Sequence, residues 1–299
     1  MIMNENGELS ELRKLQLVQL DLLREVDRIC RKHGIRYYIS HGSLLGAVRH
    51  GGFIPWDDDL DVSMPYDEYL KFCEACKTDM NSEKYFLQNI DSDKDYNYVF
   101  AKLRRNNTLY VRKGQEHMNY HHGICIDVWV IYPVPINALA GLIFRVIVSR
   151  CKTIMWSPIG AISEKRKMKK TIYKLLSLIP PSIPKNVINF IVSKCSGEVL
   201  ENIGGPSFGK THVIKSKMAN VNEYDYSVLL KKMKVNELVE MDFEDIKCYA
   251  PANYDYLLTY LYGNYMDLPE RSYRQGHHSA SKICFGDIFD NESPKISQQ

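Results

Sequence analysis

Between positions 57 and 61 the chain carries four aspartates in five residues, Asp57-Asp58-Asp59-Leu60-Asp61. No other feature constrains the fold as much, because carboxylates this close repel one another and have to be solvated, paired or bound to a cation. Asp59 and Asp61 alternate with Leu60 and Val62. The spacing therefore predicts a strand, Leu60–Met64, with both carboxylates on one face and the apolar pair toward a core. Trp56 and the apolar residues around it argue against a fully exposed acidic turn. Two carboxylates on one rigid face suit a hard cation, Mg2+ or alternatively Mn2+, which takes few protein oxygens and completes its shell with substrate phosphate.

Just upstream, the apolar run Tyr37–Ile39 reads as a buried strand that ends at Gly42 and Ser43, and Leu44–Val48 has helix-forming composition. That order puts backbone N–H groups and a hydroxyl at a helix N-terminus, a natural seat for an oxyanion. Ser10 to Lys32 carries Leu12, Leu15, Val18, Leu22, Val26 and Ile29 at three- and four-residue spacing, an amphipathic helix with Gly34 as its stop. Further strands are expected at Tyr37–Ser40, Tyr85–Asn89, Tyr98–Arg104, Thr108–Val111 and Gly123–Ile131, with a helix at Tyr66–Lys77. This mixture predicts an α+β fold, a central mixed sheet with flanking helices. Residues 1–135 read as the first part of that core. Residues 136–204 read as a basic helical insertion broken at Ser157-Pro158 and Pro180-Pro181. Residues 205–290 return to the core, with a hairpin at Val235–Met241 and Ile246–Tyr249 and a helix over Asn253–Tyr262, and 291–299 form a polar tail expected to fray.

With 45% hydrophobic residues the chain has the composition of a globular protein. The first residues lack the basic-then-apolar order of a signal peptide, and no apolar run reaches the ~18 residues of a spanning helix, so a cytoplasmic location is expected. Eight irregularly spaced cysteines need no disulfide framework there. Cys73-x2-Cys76 lies in a helix-like stretch without a second pair, which favours two helix thiols over zinc. The net charge of +3 hides an asymmetry: Arg145 to Lys194 holds eleven Lys/Arg against Glu164 alone. Ala138–Trp156 mixes these cations with Leu, Ile, Phe, Val and Trp, the composition of an interfacial helix, so peripheral contact with the inner membrane face is one expectation and a solvated helical face the other. The segment carries neither a recognised motif nor a regular aromatic stacking pattern for nucleic acid.

Two motif matches dissolve in context. Gly204 to Thr211 fits the phosphate-loop pattern letter for letter, but the stretch before it is a weak strand carrying Glu201 and Asn202, and His212–Met218 lacks an amphipathic helix pattern. The acidic run fits calcium-loop spacing from Asp57 through Asp59, Asp61, Ser63 and Glu68. Val62 stands where that loop requires Gly, and Pro55 opposes an incoming helix.

The run from Ser40 to Asp61, S-H-G-S-L-L-G-A-V-R-H-G-G-F-I-P-W-D-D-D-L-D, closely resembles the signature of the LicD family, which includes bacterial phosphocholine transferases and more distantly fukutin-related proteins. Lys102-Leu103-Arg104-Arg105 with Asn107-Thr108, Gly123 to Val128, and Phe243-Glu244, Pro251, Tyr262 to Met266, Leu268-Pro269 and His277 also look like that pattern. His41 departs from the usual Ser or Gly, and Cys125-Ile126-Asp127-Val128-Trp129 from the usual Phe-Ile-Asp-Ile-Phe.

The resemblance implies a nucleotidyltransferase-type fold and Mg2+-dependent transfer of a substituted phosphate from a CDP-activated donor such as CDP-choline to a hydroxyl of a cell-surface glycan, with CMP leaving; a lipid-linked acceptor would make membrane docking useful. Asp59 and Asp61 are the expected metal ligands. Asp127 is a charge out of place on an apolar strand unless paired or metal-bound, and the motif match makes it the third carboxylate, as ligand or as acceptor of the attacking hydroxyl's proton. Gly42 and Ser43 would hold donor phosphate, with Arg49, Lys102 and Arg104 neutralising charge on the phosphates and departing CMP. Asp57, with Trp56 beside it, would orient the site. His50 and His277 match the pattern without a derivable role. A nucleotidyltransferase releasing pyrophosphate from a nucleoside triphosphate, and a non-catalytic membrane-docking protein, are the competing readings.

Overall fold

Helix α1, Glu11–His33, forms where the periodicity places it. The Ser10 hydroxyl accepts from Arg13 N at 3.2 Å to cap its start, and Gly34 closes it with φ +62°. In the computed structural model, which describes residues 9–135, 137–195, 199–202, 237–276 and 279–289, the chain continues with β1 (Tyr38–Ile39), α2 (His41–His50), β2 (Asp61–Pro65), α3 (Tyr66–Asp79), β3 (Tyr85–Gln88), β4 (Ala101–Arg105), β5 (Leu109–Arg112) and β6 (Cys125–Val134). Helices α4 (Ala138–Ser163), α5 (Lys167–Leu176) and α6 (Ser182–Ser193) follow, then β7 (Val199–Asn202), the hairpin β8 (Leu238–Phe243) and β9 (Ile246–Pro251), α7 (Tyr254–Tyr262) and β10 (Ala280–Cys284). The phosphate-loop look-alike, His277 and the polar tail lie outside the described residues.

The central sheet runs β1-β2-β6-β4-β3, with β7 beside the far half of β6. β2 and β6 are parallel, and the other pairs are antiparallel. The expected α+β architecture, a mixed sheet with flanking helices, is what the chain adopts. Val62, Met64, Leu103, Ile126 and Val128 face the main core, where they meet Leu22, Leu23, Val26 and Ile29 of α1 and Phe72 of α3. Val130 and Tyr132 of β6 meet Phe144, Val148 and Met155 of α4 and Ile188 and Val192 of α6 in a second cluster. Side chains alternate across a sheet, so Asp61, Asp127, Lys102 and Arg104 project on the face opposite the main core.

Three local expectations need correction. β2 begins at Asp61, so Asp59 precedes the strand and does not share its face. Pro158 does not break α4: the carbonyl of Ile154, left without its usual helical partner by the missing proline N–H, accepts instead from the Ser157 hydroxyl at 2.6 Å. The segment read as a helical insertion ends in β7, which pairs with β6 and so belongs to the sheet. Cys73 and Cys76 are free thiols on α3.

Candidate active site

Strand register builds a row of charge. Asp61 pairs with Asp127 across β2 and β6, and Asp127 pairs with Lys102 across β6 and β4. The Lys102 ammonium donates to Asp127 Oδ1 and lies 5.0 Å from the Phe100 ring centroid and 5.7 Å from that of Tyr98. Lys102 is only 2% exposed, so the misplaced charge on β6 has its partner. Asp61 Oδ1 accepts from Trp129 Nε1 at 2.8 Å, and Trp129 stacks on Phe100 with centroids 4.2 Å apart.

The acidic loop ahead of β2 is gripped through its backbone. Gln16 and Gln19, buried on α1, donate from Nε2 to Asp57 O at 3.0 Å and Asp58 O at 2.9 Å. A Cβ on Gly42 would fall 2.9 Å from Asp57 Oδ2, and one on Gly276 would fall 2.8 Å from Asp58 Oδ2, so the glycines make room for the carboxylates. Asp57, Asp58 and Asp59 bring one carboxylate oxygen each within 4.8 Å of one another. Among the described residues the closest acidic grouping is therefore this loop, where the sequence pointed to Asp59, Asp61 and Asp127. Burial, followed by the charge of Asp59, pushes the Asp57 and Asp61 carboxyls well above the usual range. His41 Nδ1 sits 3.7 Å from Asp61 Oδ2, yet burial pushes its pKa down to about 4 against the pull of Asp59 and Asp127.

The remaining expected residues divide into two groups. Ser43 is the third residue of α2 and its Oγ accepts from Asp61 N at 2.8 Å, clipping the helix to the start of β2. Arg104 is buried, donating to Gln88 Oε1 and Gly123 O, both at 2.5 Å, and lines a recess with Lys102 and Tyr98. Arg49, His50 and Trp56 gather elsewhere, at the C-terminal end of α2. Arg49 donates to Tyr265 O at 2.9 Å and Asp267 O at 3.1 Å, while His50 meets Trp56 edge-on at 6.1 Å and Arg274 covers that indole at 5.5 Å. Ten helical residues, ~15 Å, separate the two ends of α2.

Sequence reasoning missed Arg112. Burial opposes its charge, but Asp127 first, then Cys125, Tyr98 and Asp59, outweigh burial and raise its pKa. It lines two adjoining recesses, one reaching Lys102 and Arg104 and the other Asp58, Asp59 and Asp127. Nothing local marks it; the pairing of β5 with β10 fixes its strand. Gln16 and Gln19 did leave a signal, as two amides three apart among the apolar positions of α1. Trp129 also left one, two residues along the strand from Asp127.

The donor set is all oxygen, crowded and partly buried, which fits a hard divalent cation and not a soft one. Residues 34–141, which span this site, match the family model described as LicD/FKTN/FKRP, nucleotidyltransferase domain. Over 276 residues the chain is 28% identical to the lipopolysaccharide cholinephosphotransferase LicD of Haemophilus influenzae, covering 89% of this chain and 96% of that protein. It is 30% identical over 118 residues to the ribitol 5-phosphate transferase FKRP of mouse and human, covering 38% of this chain and 21% of theirs. Residues 34–141, which hold the charged row and the acidic loop, are thus similar to the nucleotidyltransferase domain of the LicD family, and the likeness to a cholinephosphotransferase runs over most of the chain.

Proposed function

We propose that the protein is a transferase that moves a substituted phosphate, phosphocholine or a similar phospho-alcohol, from a CDP-activated donor to a hydroxyl of a glycan. The observation that carries this reading is the row Asp61, Asp127, Lys102, beside which Asp58, Asp59, Asp127 and Arg112 line one recess. Such a site offers oxygens for a cation and cations for phosphate within one recess, which is what phosphoryl transfer requires. The relatives' names support the class: one is a cholinephosphotransferase acting on lipopolysaccharide, the others ribitol 5-phosphate transferases.

Lys102 and Arg112, with Arg104 behind them, would draw the donor's diphosphate into the recess and hold its charge. The acceptor oxygen attacks the distal phosphorus, a new P–O bond forms, the P–O bond to the inner phosphate breaks, and CMP leaves with that oxygen and its electron pair. The hydroxyl proton passes to Asp127 Oδ2, since Oδ1 is taken by Lys102. Trp129 holds Asp61 by one oxygen, and Gln16 and Gln19 fix the acidic loop against α1. Asp57, Asp58 and Asp59, whose carboxylate oxygens lie within 4.8 Å of one another, would hold Mg2+ or Mn2+, which supplies counter-charge to the donor phosphates.

The family model's description favours one second reading, nucleotidyl transfer from a triphosphate. Incubating the protein with a glycan acceptor and either CDP-choline or CTP separates them. The proposal expects CMP from CDP-choline, lowered by about 10²-fold or more in Asp59→Asn, with CDP-ribitol as the comparison donor. Pyrophosphate from CTP with no CMP from either CDP-alcohol would overturn it.

A further inference from the structure

Of the three helices between β6 and β7, α4 and α6 bury one apolar stripe and show another to solvent, while α5 only shows one. On α4, Phe144, Val148 and Met155 face the second core, while Leu139, Leu142, Ile143 and Val146 lie 49–66% exposed at helical spacing on the outside. On α6, Ile188 and Val192 are buried, and Ile183, Val187 and Phe190 are exposed at the same spacing. α5 has no buried residue at all: Met168, Ile172 and Leu175 form an exposed stripe, and Leu178 just beyond it is 77% exposed. Exposed apolar stripes at helical spacing on three neighbouring helices are a mark of an interaction surface.

What surrounds the stripes decides the partner. Lys165, Arg166, Lys167, Lys169 and Lys174 stand exposed along α5 and its approach, and Glu164 is the only acid against eleven cations from Arg145 to Lys194. Apolar stripes interleaved with cations match the two layers of an anionic bilayer surface, acyl chains below and headgroup phosphates above. Among the described residues no helix is long and apolar enough to cross a membrane, which leaves lying on the surface as the mode of contact. The unit is also joined to the site: Trp156 of α4 packs edge-on against Tyr98, which lines the Arg112 recess, with centroids 5.8 Å apart.

We propose that α4, α5 and α6 form a docking surface for an anionic lipid bilayer. The surface would hold the recess beside the membrane, within reach of an acceptor carried there on lipid, and it stands on its own whether or not the phosphotransfer reading holds. The test is flotation of the full chain with vesicles of phosphatidylcholine alone or mixed with phosphatidylglycerol, at low and high salt. Binding is expected to the mixed vesicles only and to fall with salt. Replacing Lys167, Lys169 and Lys174 together by Gln is expected to weaken it about 100-fold, at about 5-fold per cation. Replacing Met168, Ile172 and Leu175 together by Ser is expected to weaken it at least as much, with the circular dichroism spectrum of both variants unchanged. Equal binding to neutral vesicles, or binding indifferent to both sets of substitutions, would overturn the proposal. So would a concentration-dependent dimer that the Ser substitutions dissociate in a chain that ignores vesicles, which would make the stripes a self-association face.

Discussion

Lys102 and Asp127 form a buried ion pair at the centre of the site, and removing either partner alone should be far worse than removing both. Lys102 is 2% exposed and the Asp127 side chain 9%, so neither charge can turn to water for compensation. Breaking such a pair from one side costs about 3–5 kcal/mol, because the survivor is left charged in a poor solvent. For Lys102→Met the survivor is Asp127, which Arg112 still faces, so the loss belongs near the lower limit, about 3 kcal/mol. For Asp127→Asn the survivor is an ammonium beside Phe100 and Tyr98, whose rings return only ~1–2 kcal/mol, giving a loss of similar size. The double variant removes both desolvated charges and should lie within about 1 kcal/mol of the parent. Urea unfolding reads this directly: with a slope near 3 kcal/mol per molar, each single substitution lowers the midpoint by about 1 M and the double substitution leaves it nearly in place. A double variant as unstable as the two singles combined would refute the argument, as would a Lys102→Met midpoint indistinguishable from the parent. The double variant should also lack CMP release while remaining folded, which separates the pair's structural role from its chemical one.

Gly42→Ala should hold or raise the melting temperature, since Ala gains about 1 kcal/mol over Gly in a helix, yet lower turnover at least about 10-fold because the new Cβ meets Asp57 Oδ2 at 2.9 Å. Arg13→Met removes both hydrogen bonds to Glu244 at 3.0 and 2.7 Å and should destabilise by about 1–2 kcal/mol at neutral pH. Burial raises the Glu244 pKa, but the Arg13 bonds and the Phe53 N–H outweigh it and leave it lowered. The pair's contribution is therefore full above the unfolded carboxylate pKa and fades as pH falls through the folded value, so parent and variant melting curves should converge in acid. Trp129→Phe keeps the stack on Phe100 but loses the N–H to Asp61 Oδ1, and should reduce turnover about 10-fold with a melting temperature within a few degrees of the parent. His41→Gly relieves a φ of +50° at about 1 kcal/mol but gives up a 5.3 Å ring contact with Trp129 and stiffens nothing in the unfolded chain. Its melting temperature should stay within about 3 °C of the parent, and a larger rise would mean that backbone strain dominates at that position.

Much of the scaffold was legible because it is periodic. The α1 heptad-like spacing, the alternation around Asp61 and the apolar run around Asp127 each survive as elements because their buried faces need the period the residues carry. Local grammar failed where a partner distant in sequence decides the outcome. Val199–Asn202 has little strand character of its own and becomes a strand because β6 offers an open edge there. Pro158 reads as a break until Ser157 takes up the stranded carbonyl. Arg112 is one of many surface-type cations in the sequence, and reaches Asp127 only because β5 and β10 are laid against the acidic loop. Arg49 shows the converse: it lies within the resembling motif, yet its fork is spent on the carbonyls of Tyr265 and Asp267.

The way the acidic loop is held explains how a fold tolerates it. Its grips act on backbone carbonyls, through the amides of Gln16 and Gln19 on α1, and on space, through the missing Cβ atoms of Gly42 and Gly276. Of the internal cations, Lys102 pairs with Asp127, and Arg112 lines the recess with Asp58, Asp59 and Asp127. Stability therefore falls on the burial of α1, β2 and β6 in the main core, while Asp57 and Asp61 remain crowded, with their pKa values driven up by burial and by Asp59. On the proposed reading, such a site would accept positive charge at the loop carboxylates and negative charge at Lys102 and Arg112 together, which is the charge pattern of a cation carrying a diphosphate.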